Sequence, residues 1–499
     1  MLETELKLAV HGSFSLPAFF GEGGVVDVRE SEPLHLRAAY HDTSDLRLAR
    51  NGITLRYRSG EEGGPKWTLK LPVESGKLTA REEIEAPGDP ENIPQRLREL
   101  IIAFVRNEEP IPIATLATRR RNAVLIGASG EVLAEVSDDE VSVLDGVRVS
   151  ARFREIEVEK KEASDNAFEE ICSVLFRAGA SQSEPLPKVV RALGPRAMAP
   201  SDVPERVDVG PKDPAADVIR ACLIHSARRL IWNDPVARIG HDPEGVHQMR
   251  VATRRLRSDL KTFAPMIDEE WRKSFRAEAK WLADLLGEVR DLDVMLERLH
   301  AGSDDIGEEL KPMFDLLNER HEEARAQLLS AMTSQRYLDF LDRVVDAPRA
   351  IALTKASERS ARQLVSIVRT LWNKLDRDAG KLRRSSSDER WHKVRIRAKQ
   401  ARYAAEAVAY GLGPRQQKAN RFAKRVATVQ DVLGEHQDSV VARDLIAEVA
   451  FSRSEDGSFN RAAGRLIERQ TQAGTSARAT FRDAWGKLDR KKNLAWLKS

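Results

Sequence analysis

Cysteine is scarce in this chain of 499 residues, which contains only Cys172 and Cys222. The two are far apart and no CxxC pair occurs, so a disulfide framework and a cysteine-rich zinc site are excluded. Charged residues from Glu3 onward exclude a signal peptide at the start of the sequence. A reducing compartment fits this pattern, and the expected location is the cytoplasm.

Long apolar runs and aromatic side chains are also scarce. No uninterrupted apolar stretch approaches the ~20 residues that a membrane helix requires, so no membrane association is expected. Aromatic residues make up 6% of the chain, which leaves few surfaces on which nucleic-acid bases could stack.

Charge is abundant but unevenly distributed. Residues 1–200 contain 26 Lys and Arg against 33 Asp and Glu, and the remainder contains 55 against 45. The net charge is therefore −7 in the first part and +10 in the second, which predicts different ligands for the two. Five prolines between Pro195 and Pro214 mark a linker. We expect domains at 1–195 and 212–499, joined by a proline-rich linker at 196–211.

The first domain has the pattern of an antiparallel sheet with flanking helices. Short alternating segments such as LHLRAAY, GITLRYR and KWTLKLP are separated by Gly, Pro and Asn or Asp. NIPQRLRELIIAFV and SDNAFEEICSVLFRAGA predict helices, the second with Ser164 as a candidate cap. The second domain shows long helical periodicity, so the predicted class is an α+β multidomain protein.

Charged side chains share faces of the predicted strands, because residues two apart point to the same side. The sets are Glu3, Glu5 and Lys7; Arg56 and Arg58; Lys66 and Lys70; Arg81, Glu83 and Glu85; Arg119 and Arg121; Glu135 and Asp139; and Glu155, Glu157 and Glu159. One solvated face of an ordinary sheet explains any single strand. The charge density over seven strands favours a closed barrel whose interior binds a polyanion through Arg and Lys and a divalent metal through its acids.

This ordered series resembles the CYTH family, the triphosphate tunnel metalloenzymes. ETELKL is similar to the ExExK signature, and LRYR, TLK, REEIE, AEVSDD, REIEVE and LPKVVRAL follow in the family's order. The resemblance covers roughly residues 1–195. It implies an eight-stranded antiparallel tunnel that hydrolyses or transfers a triphosphate group with a divalent cation, Mg²⁺ or Mn²⁺.

The resemblance also implies roles for individual residues. The catalytic group is Glu3, Glu5 and Lys7, and the metal ligands are Glu3, Glu5, Glu155 and Glu157. Glu83, Glu85, Glu135, Asp139 and Glu159 are further candidate acids. The triphosphate would contact Lys7, Arg56, Arg58, Lys70, Arg119, Arg121 and Lys188. Whether Asp138 or Asp139 faces inward stays open.

The second domain contains an internal repeat. HQMRVATRRLR at 247–257 matches HKVRIRAKQAR at 392–402, and LLGEVRDLDV at 285–294 matches VLGEHQDSVV at 432–441. The two matches share nearly the same offset, which predicts a duplicated unit with copies near 212–345 and 355–499. The expected architecture is two pseudo-symmetric helical bundles, with Gly287 and Gly434 at points of tight helix packing.

Each repeat carries a basic stripe, since positions i, i+3, i+7 and i+10 lie along one helix face. The stripes are His247, Arg250, Arg254 and Arg257, and His392, Arg395, Lys399 and Arg402. Neither contains the acid that a solvated face would normally supply for pairing. Zinc binding is a poor explanation, because no second His or Cys follows either histidine at i+3 or i+4.

The second domain resembles the CHAD domain, a helical domain often fused to CYTH domains. The resemblance covers roughly residues 212–499 and implies binding of inorganic polyphosphate by the two stripes, together with association with polyphosphate granules. Nucleic acid is disfavoured, since few aromatics accompany the stripes and no known nucleic-acid motif occurs. Protein partners are not identified by the sequence.

Three functions are compatible with these patterns. The first is hydrolysis of inorganic triphosphate. The second is another triphosphate chemistry in the same tunnel, such as thiamine triphosphate hydrolysis or class IV-type adenylate cyclase activity. The third is a non-catalytic polyphosphate-binding scaffold. The complete set of acids and bases favours an enzyme, and the lack of a clear base-recognition pocket favours inorganic triphosphate.

Overall fold

The computed structural model describes residues 4–61, 63–73, 80–182, 186–303 and 306–498. The chain divides into two compact units, Met1–Asp202 and Val203–Ser499. The first unit is built on an antiparallel sheet and the second from helices. The predicted α+β multidomain class is confirmed.

Ten strands are described in the first unit. They are β1 Thr4–Val10, β2 Val25–Glu30, β3 Leu34–Asp42, β4 Thr54–Ser59, β5 Lys66–Val73, β6 Ala80–Ala86, β7 Ile111–Gly127, β8 Val132–Asp145, β9 Arg148–Lys160 and β10 Ser181–Gln182. All pairings are antiparallel, in the order β10-β1-β9-β8-β7-β3-β4-β5-β6, and β2 pairs with β7 beyond the end of β3.

The predicted closed eight-stranded barrel is corrected by this topology. Within the described residues the sheet is open, with β6 at one edge and β10 at the other. The two residues of β10 pair with Leu8 and Ala9, so they occupy the side of β1 that faces away from β9. Barrel closure would require that side of β1 for a longer partner strand.

The alternation along the strands separates a charged face from an apolar one. Glu157 and Glu159 alternate with Ile156 and Val158, which are completely buried. These two apolar residues pack with the β1 residue Leu8 and with residues of the helix at 165–177. Each strand therefore fixes its charged side chains by burying the residues between them.

Four α-helices are found among the described residues of the first unit: α1 Arg47–Arg50, α2 Gln95–Val105, α3 Asp165–Arg177 and α4 Lys188–Leu193. Both predicted longer helices are present, and the hydroxyl of Ser164 accepts a hydrogen bond from the Ala167 amide at the start of α3. Val189 and Val190 of α4 pack against Ala38 and Leu116. These two apolar residues lie on the same face of the sheet as the charged side chains. This packing places Lys188 beside Asp139 of β8 and beside Glu155 and Glu157 of β9.

The second unit is helical throughout its described residues. Its helices are α5 Ala215–Ile239, α6 Glu244–Thr262, α7 Glu269–Ala301, α8 Lys311–Met332, α9 Gln335–Ala350, α10 Val365–Ala379, α11 Asp388–Ala409, α12 Gln416–Ser452, α13 Gly457–Leu488 and α14 Lys491–Leu494. The matched sequence repeats fall on α6 and α7 and again on α11 and α12. Across the described residues, no helix combines the length and apolar character needed to cross a membrane.

Candidate functional site

A cavity of about 250 Å³ lies on the charged face of the sheet. We call it the charged cavity. It is lined by basic, acidic and uncharged side chains of nearly every strand in the path: Lys7, Arg56, Arg58, Lys70, Arg120 and Lys188; Glu5, Glu83, Glu135, Asp139, Glu157 and Glu159; and Leu36, Ala38, Tyr40, Thr54, Leu116, Thr118, Ser137 and Pro187. The structure thus brings together most of the residues predicted for the triphosphate site.

Lys7 and Lys188 meet the acids at one end of the charged cavity. The Lys7 Nζ lies 2.8 Å from the nearer Glu157 oxygen and 3.3 Å from Glu5 Oε1. The Lys188 Nζ lies 2.5 Å from Glu157, 2.8 Å from Glu155 and 3.0 Å from Asp139. One ammonium group therefore lies within ion-pair distance of three carboxylates, two of which are almost fully buried.

Opposite pKa shifts distinguish the acids of this cluster. Burial raises the pKa of Glu157, but Lys188, Lys7 and Arg120 outweigh it and hold that pKa well below its usual range. Burial and the adjacent Glu157 charge raise the pKa of Glu5. Burial lowers the pKa of Lys188, but its three carboxylate partners raise that pKa by more, so the net change is upward. Glu157 is therefore a fixed anion, and Glu5 is the acid that gains from an additional cation.

Removing the Lys188 ammonium should destabilise the first unit. Lys188→Ala leaves Asp139, Glu155 and Glu157 short of a partner, and we expect the opening free energy of the β9 amides to fall by about 3 kcal/mol near neutral pH. Hydrogen exchange of those amides measures this quantity. The loss should shrink as the pH falls, since protonation removes the carboxylate charges.

Lys161→Ala is the matched control for that variant. Its Nζ contacts Glu159 at 2.5 Å at a more exposed position, so about 1 kcal/mol or less is expected. Equal effects of the two substitutions would contradict a stabilising role of Lys188.

The other end of the charged cavity is basic. Lys70 Nζ lies 2.6 Å from Glu83, and the Arg56 guanidinium donates to the Tyr40 hydroxyl at 3.5 Å. The buried Nε atoms of Arg56 and Arg58 make no hydrogen bond within the described part of the chain. Burial and the Arg56 charge lower the pKa of Arg58. Unsatisfied donors and repelling cations together favour an anionic ligand at this end.

The prediction for Arg119 and Arg121 is corrected by the strand register. The residue between them, Arg120, lines the charged cavity and donates to Asp139 at 2.8 and 2.6 Å and to Glu157 at 2.9 Å. Arg119 and Arg121 lie on the opposite face of β7, where each contacts Glu140. The register pairs Arg120 with Asp139 across β7 and β8, which the three consecutive arginines of the sequence do not reveal.

The remaining predicted acids are distributed as follows. Asp139 faces the charged cavity, whereas Asp138 binds Arg154 on the other face at 2.7 Å. Glu155 is buried against Lys188 and Arg191. Glu85 pairs with Lys66 at 2.7 Å and does not line the cavity. Glu3, predicted as a catalytic and metal-binding residue, lies outside the described residues.

The described part of the first unit offers oxygen donors for a divalent cation but no complete cage. No group of three or more His, Cys, Asp and Glu side chains among the described residues is placed to hold a metal ion. Glu5 and Glu157 are nevertheless close enough for each charge to affect the other. A hard divalent cation bound to Glu5 would relieve that repulsion, so the chemistry of these residues fits such an ion.

A second site lies in the helical unit, where α6 and α11 place four cations together. We call Arg250, Arg254, Arg395 and Lys399 the helical basic cluster. Burial and the charges of the three arginines lower the pKa of Lys399 to about 8. The buried Nε atoms of Arg254 and Arg395 have no hydrogen-bond partner among the described residues. The structure thus brings the centres of both predicted stripes together.

The repeat places equivalent acids beside this cluster. Arg250 lies 2.7 Å from Asp291 of α7, and Arg395 lies 3.5 Å from Asp438 of α12. These acids occupy matching positions in LLGEVRDLDV and VLGEHQDSVV.

The glycines of the two segments contact arginines of the cluster. A Cβ on Gly287 would have Arg250 as its nearest neighbour at 4.0 Å, and one on Gly434 would have Arg395 at 3.9 Å. Arg250 also donates to the Gly287 carbonyl at 3.1 Å. The interpretation of the two glycines as points of tight helix packing is therefore corrected: each lies beneath an arginine of the cluster.

The residues at the ends of the stripes have further neighbours outside the cluster. Burial and nearby arginines, including Arg290 and Arg254, lower the pKa of His247, although Glu244 opposes them. His392 contacts Gln437 at 2.7 Å, and Arg402 donates to Glu406 at 2.9 Å. Burial and the charges of Arg272 and Arg257 lower the pKa of Arg276 on α7, so Arg257 lies near that helix. Arg290 and Arg276 were absent from the sequence prediction, because only the packing of α7 brings them near α6.

Comparison with known proteins agrees with the family resemblance predicted for each part of the chain. The model of the CYTH domain matches residues 1–185, and the model of the CHAD domain matches residues 221–447. "Uncharacterized protein Rv2226" of Mycobacterium tuberculosis is 30% identical over 528 residues, covering 98% of this chain and 96% of that protein.

Two solved structures each resemble a portion of this chain. The CHAD domain from the plant Ricinus communis is 24% identical, with a TM-score of 0.48, over 57% of this chain and 96% of that one. The Hippeastrum protein HpAC1, titled a putative adenylyl cyclase with a dominant triphosphatase activity, is 18% identical, with a TM-score of 0.25, over 38% of this chain and 94% of that one. The two family models and the near full-length relative identify the chain as a member of the CYTH family in which a CYTH domain is followed by a CHAD domain.

Proposed function

We propose that this chain hydrolyses inorganic triphosphate in the charged cavity and binds inorganic polyphosphate at the helical basic cluster. The observation that carries the first part is the cavity itself, in which Arg56 and Arg58, each with a buried Nε that has no hydrogen-bond partner among the described residues, lie opposite the acids around Glu157. A triphosphate needs cations along its length, and its hydrolysis needs acids near the reacting phosphorus.

The basic and acidic residues of the charged cavity would have different roles. Arg56, Arg58, Lys70 and Arg120 would hold the phosphate oxygens and stabilise the negative charge that moves onto the leaving phosphates. Lys7 and Lys188 would hold Glu157 ionised beside the reacting group. Glu5 and Glu157 are the described residues that would bind a divalent cation. That ion would supply Lewis-acid stabilisation of phosphate oxygens.

The wall of the charged cavity supports inorganic triphosphate over a nucleotide. Tyr40 is the single aromatic residue among the described residues that line it, and its hydroxyl contacts Arg56. The cavity therefore presents little surface on which an adenine or thiamine ring could stack. Its volume of about 250 Å³ also leaves little space beyond the phosphate chain.

Phosphate release tests the catalytic part of the proposal. The full chain is incubated with tripolyphosphate, thiamine triphosphate, ATP or long-chain polyphosphate, each with Mg²⁺ or Mn²⁺. We expect the largest kcat/KM with tripolyphosphate. Formation of cyclic AMP from ATP without tripolyphosphate hydrolysis would overturn the proposal, as would no turnover of any substrate.

The helical basic cluster supports the binding part of the proposal. Burial, together with the repulsion of the three arginines, lowers the pKa of Lys399 to about 8. An extended polyanion would relieve that repulsion, whereas Asp291 and Asp438 are the only acids in ion-pair contact with the cluster among the described residues. No aromatic platform beyond Tyr403 contacts Arg254 among the described residues, which favours phosphate chains over nucleic-acid bases.

Polyphosphate binding should weaken above the pKa of Lys399. The group is charged below about pH 8, and at higher pH the complex must take up a proton to regain that charge. We expect affinity to be about fivefold weaker at about pH 9 than at about pH 7.5 in wild type. Lys399→Arg keeps the charge at both values and should lose most of this pH dependence, as measured by calorimetric titration.

Lys393→Arg is the control for that measurement. Lys393 lies on the same helix and is exposed, at 3.7 Å from Asp378. This variant should retain the wild-type pH dependence. A Lys399→Arg protein with an unchanged pH dependence would refute the role given to Lys399.

A further inference from the structure

A second basic surface lies on the outer face of the sheet, opposite the charged cavity. Two rows of paired residues cross β3, β7, β8 and β9 there. One row is Arg37, Ala117, Ser142 and Arg152, and the other is His35, Arg119, Glu140 and Arg154. All eight residues line one cleft of about 920 Å³, which we call the outer trough.

The first row has the form of a channel with a cation at each end. Ala117 and Ser142 are small, so the floor between the arginines is low. Neighbouring strands lie about 4.8 Å apart, which places the Cα atoms of Arg37 and Arg152 on the order of 14 Å from one another. Arg37 and Arg152 are exposed, and neither forms an ion pair or hydrogen bond with any residue in the described ranges.

The second row adds cations and a rigid support. Arg154 is buried and makes a paired contact with Asp138 at 2.8 and 2.7 Å. It also donates to the carbonyl oxygens of Gly12 and Phe14, which fixes the loop beside the trough. Arg119 is half-exposed and lies 3.7 Å from Glu140, the single acid among the eight. The trough is thus strongly basic, although residues 1–200 carry a net charge of −7.

We propose that the outer trough binds a segment of an inorganic polyphosphate chain as an accessory site. Free guanidinium groups on both sides of a small-residue floor fit a linear, evenly charged anion. The choice of polyphosphate rests on the function proposed above. Nucleic acid fits less well, because Phe153 is the only phenyl ring among the described lining residues and the Arg191 guanidinium covers it at 4.4 Å.

The test compares full-length proteins by anisotropy of end-labelled long-chain polyphosphate over a salt titration. The proteins are wild type, Arg37→Ala/Arg152→Ala, Arg254→Ala/Lys399→Ala and the combination of all four changes. Arg29→Ala/Arg98→Ala removes two other arginines of the first unit and is the control. Thermal melting establishes that each variant is folded.

We expect Arg37→Ala/Arg152→Ala to weaken polyphosphate binding about fivefold and to reduce the slope of log affinity against log salt by about two. The same two changes are expected whether the pair is introduced into the wild-type protein or into Arg254→Ala/Lys399→Ala. The control pair should change affinity less than about twofold. An unchanged affinity and slope for Arg37→Ala/Arg152→Ala would overturn the inference. Tighter binding of a single-stranded oligonucleotide than of polyphosphate in the Arg254→Ala/Lys399→Ala background would also overturn it. Failure of the helical-cluster proposal would show separately, as wild-type binding by Arg254→Ala/Lys399→Ala.

Discussion

Arg120→Ala is expected to lower kcat/KM for tripolyphosphate by about 10²- to 10³-fold. Arg120 is the cation that lies between the basic end of the charged cavity and the acids, through its contacts with Asp139 and Glu157. Its removal takes away a donor for the phosphate chain and also alters the charge balance at Glu157. Initial rates of phosphate release over a range of substrate and Mg²⁺ concentrations measure the loss.

Arg121→Ala is the matched control for Arg120→Ala. The two residues are neighbours in β7, but Arg121 contacts Asp138 and Glu140 on the other face of the sheet. We expect its kcat/KM to stay within about threefold of wild type. A larger loss in Arg121→Ala than in Arg120→Ala would mean that β7 presents the opposite face to the substrate. Arg120→Lys should recover part of the activity, since it restores a charge without the planar fork.

Glu5→Gln is expected to lower the rate of tripolyphosphate turnover at least 10²-fold. Polyphosphate binding by the helical basic cluster is expected to stay unchanged. The substitution keeps the shape of the side chain and deletes the charge on which cation binding depends. In wild type the raised pKa of Glu5 means that its carboxylate is lost at a higher pH than for an ordinary glutamate. Turnover should therefore fall as the pH decreases through that pKa.

Glu85→Gln provides the comparison for Glu5→Gln. Glu85 is a strand residue of the same unit that pairs with Lys66 outside the charged cavity. Near wild-type turnover is expected for it. Full turnover in Glu5→Gln would exclude the assigned role of this carboxylate. Joint loss of turnover and polyphosphate affinity in a folded Glu5→Gln protein would contradict two independent sites.

The two-residue repeat of a strand was sufficient to place many cavity residues. Glu5, Lys7, Arg56, Arg58 and Lys70 alternate with residues that are largely buried or paired on the other side, so their shared face could be read from the sequence. β7 broke this rule. Three consecutive arginines give no preference for either face, and the aliphatic residue Leu116 lies on the cavity side because α4 packs there.

Barrel closure and the neighbours of the helical basic cluster required tertiary information. The pairing of Ser181 and Gln182 with β1 involves two residues without any strand pattern, so the sequence predicted a closed sheet. Helical periodicity placed Arg250 and Arg395 on stripes without acids. Their partners Asp291 and Asp438 come from other helices, and only packing brings them within reach.

The matched pairs Arg250–Asp291 and Arg395–Asp438 have a consequence for the direction of a bound polymer. Because the two halves of the helical basic cluster are related by the internal repeat, a ligand meets equivalent groups from either end. Inorganic polyphosphate has the same covalent structure in both directions, so either orientation makes the same contacts. A nucleic-acid strand has distinct 5′ and 3′ senses and would match only one half at a time. A polyphosphate chain bound here would therefore have no preferred direction along the cluster.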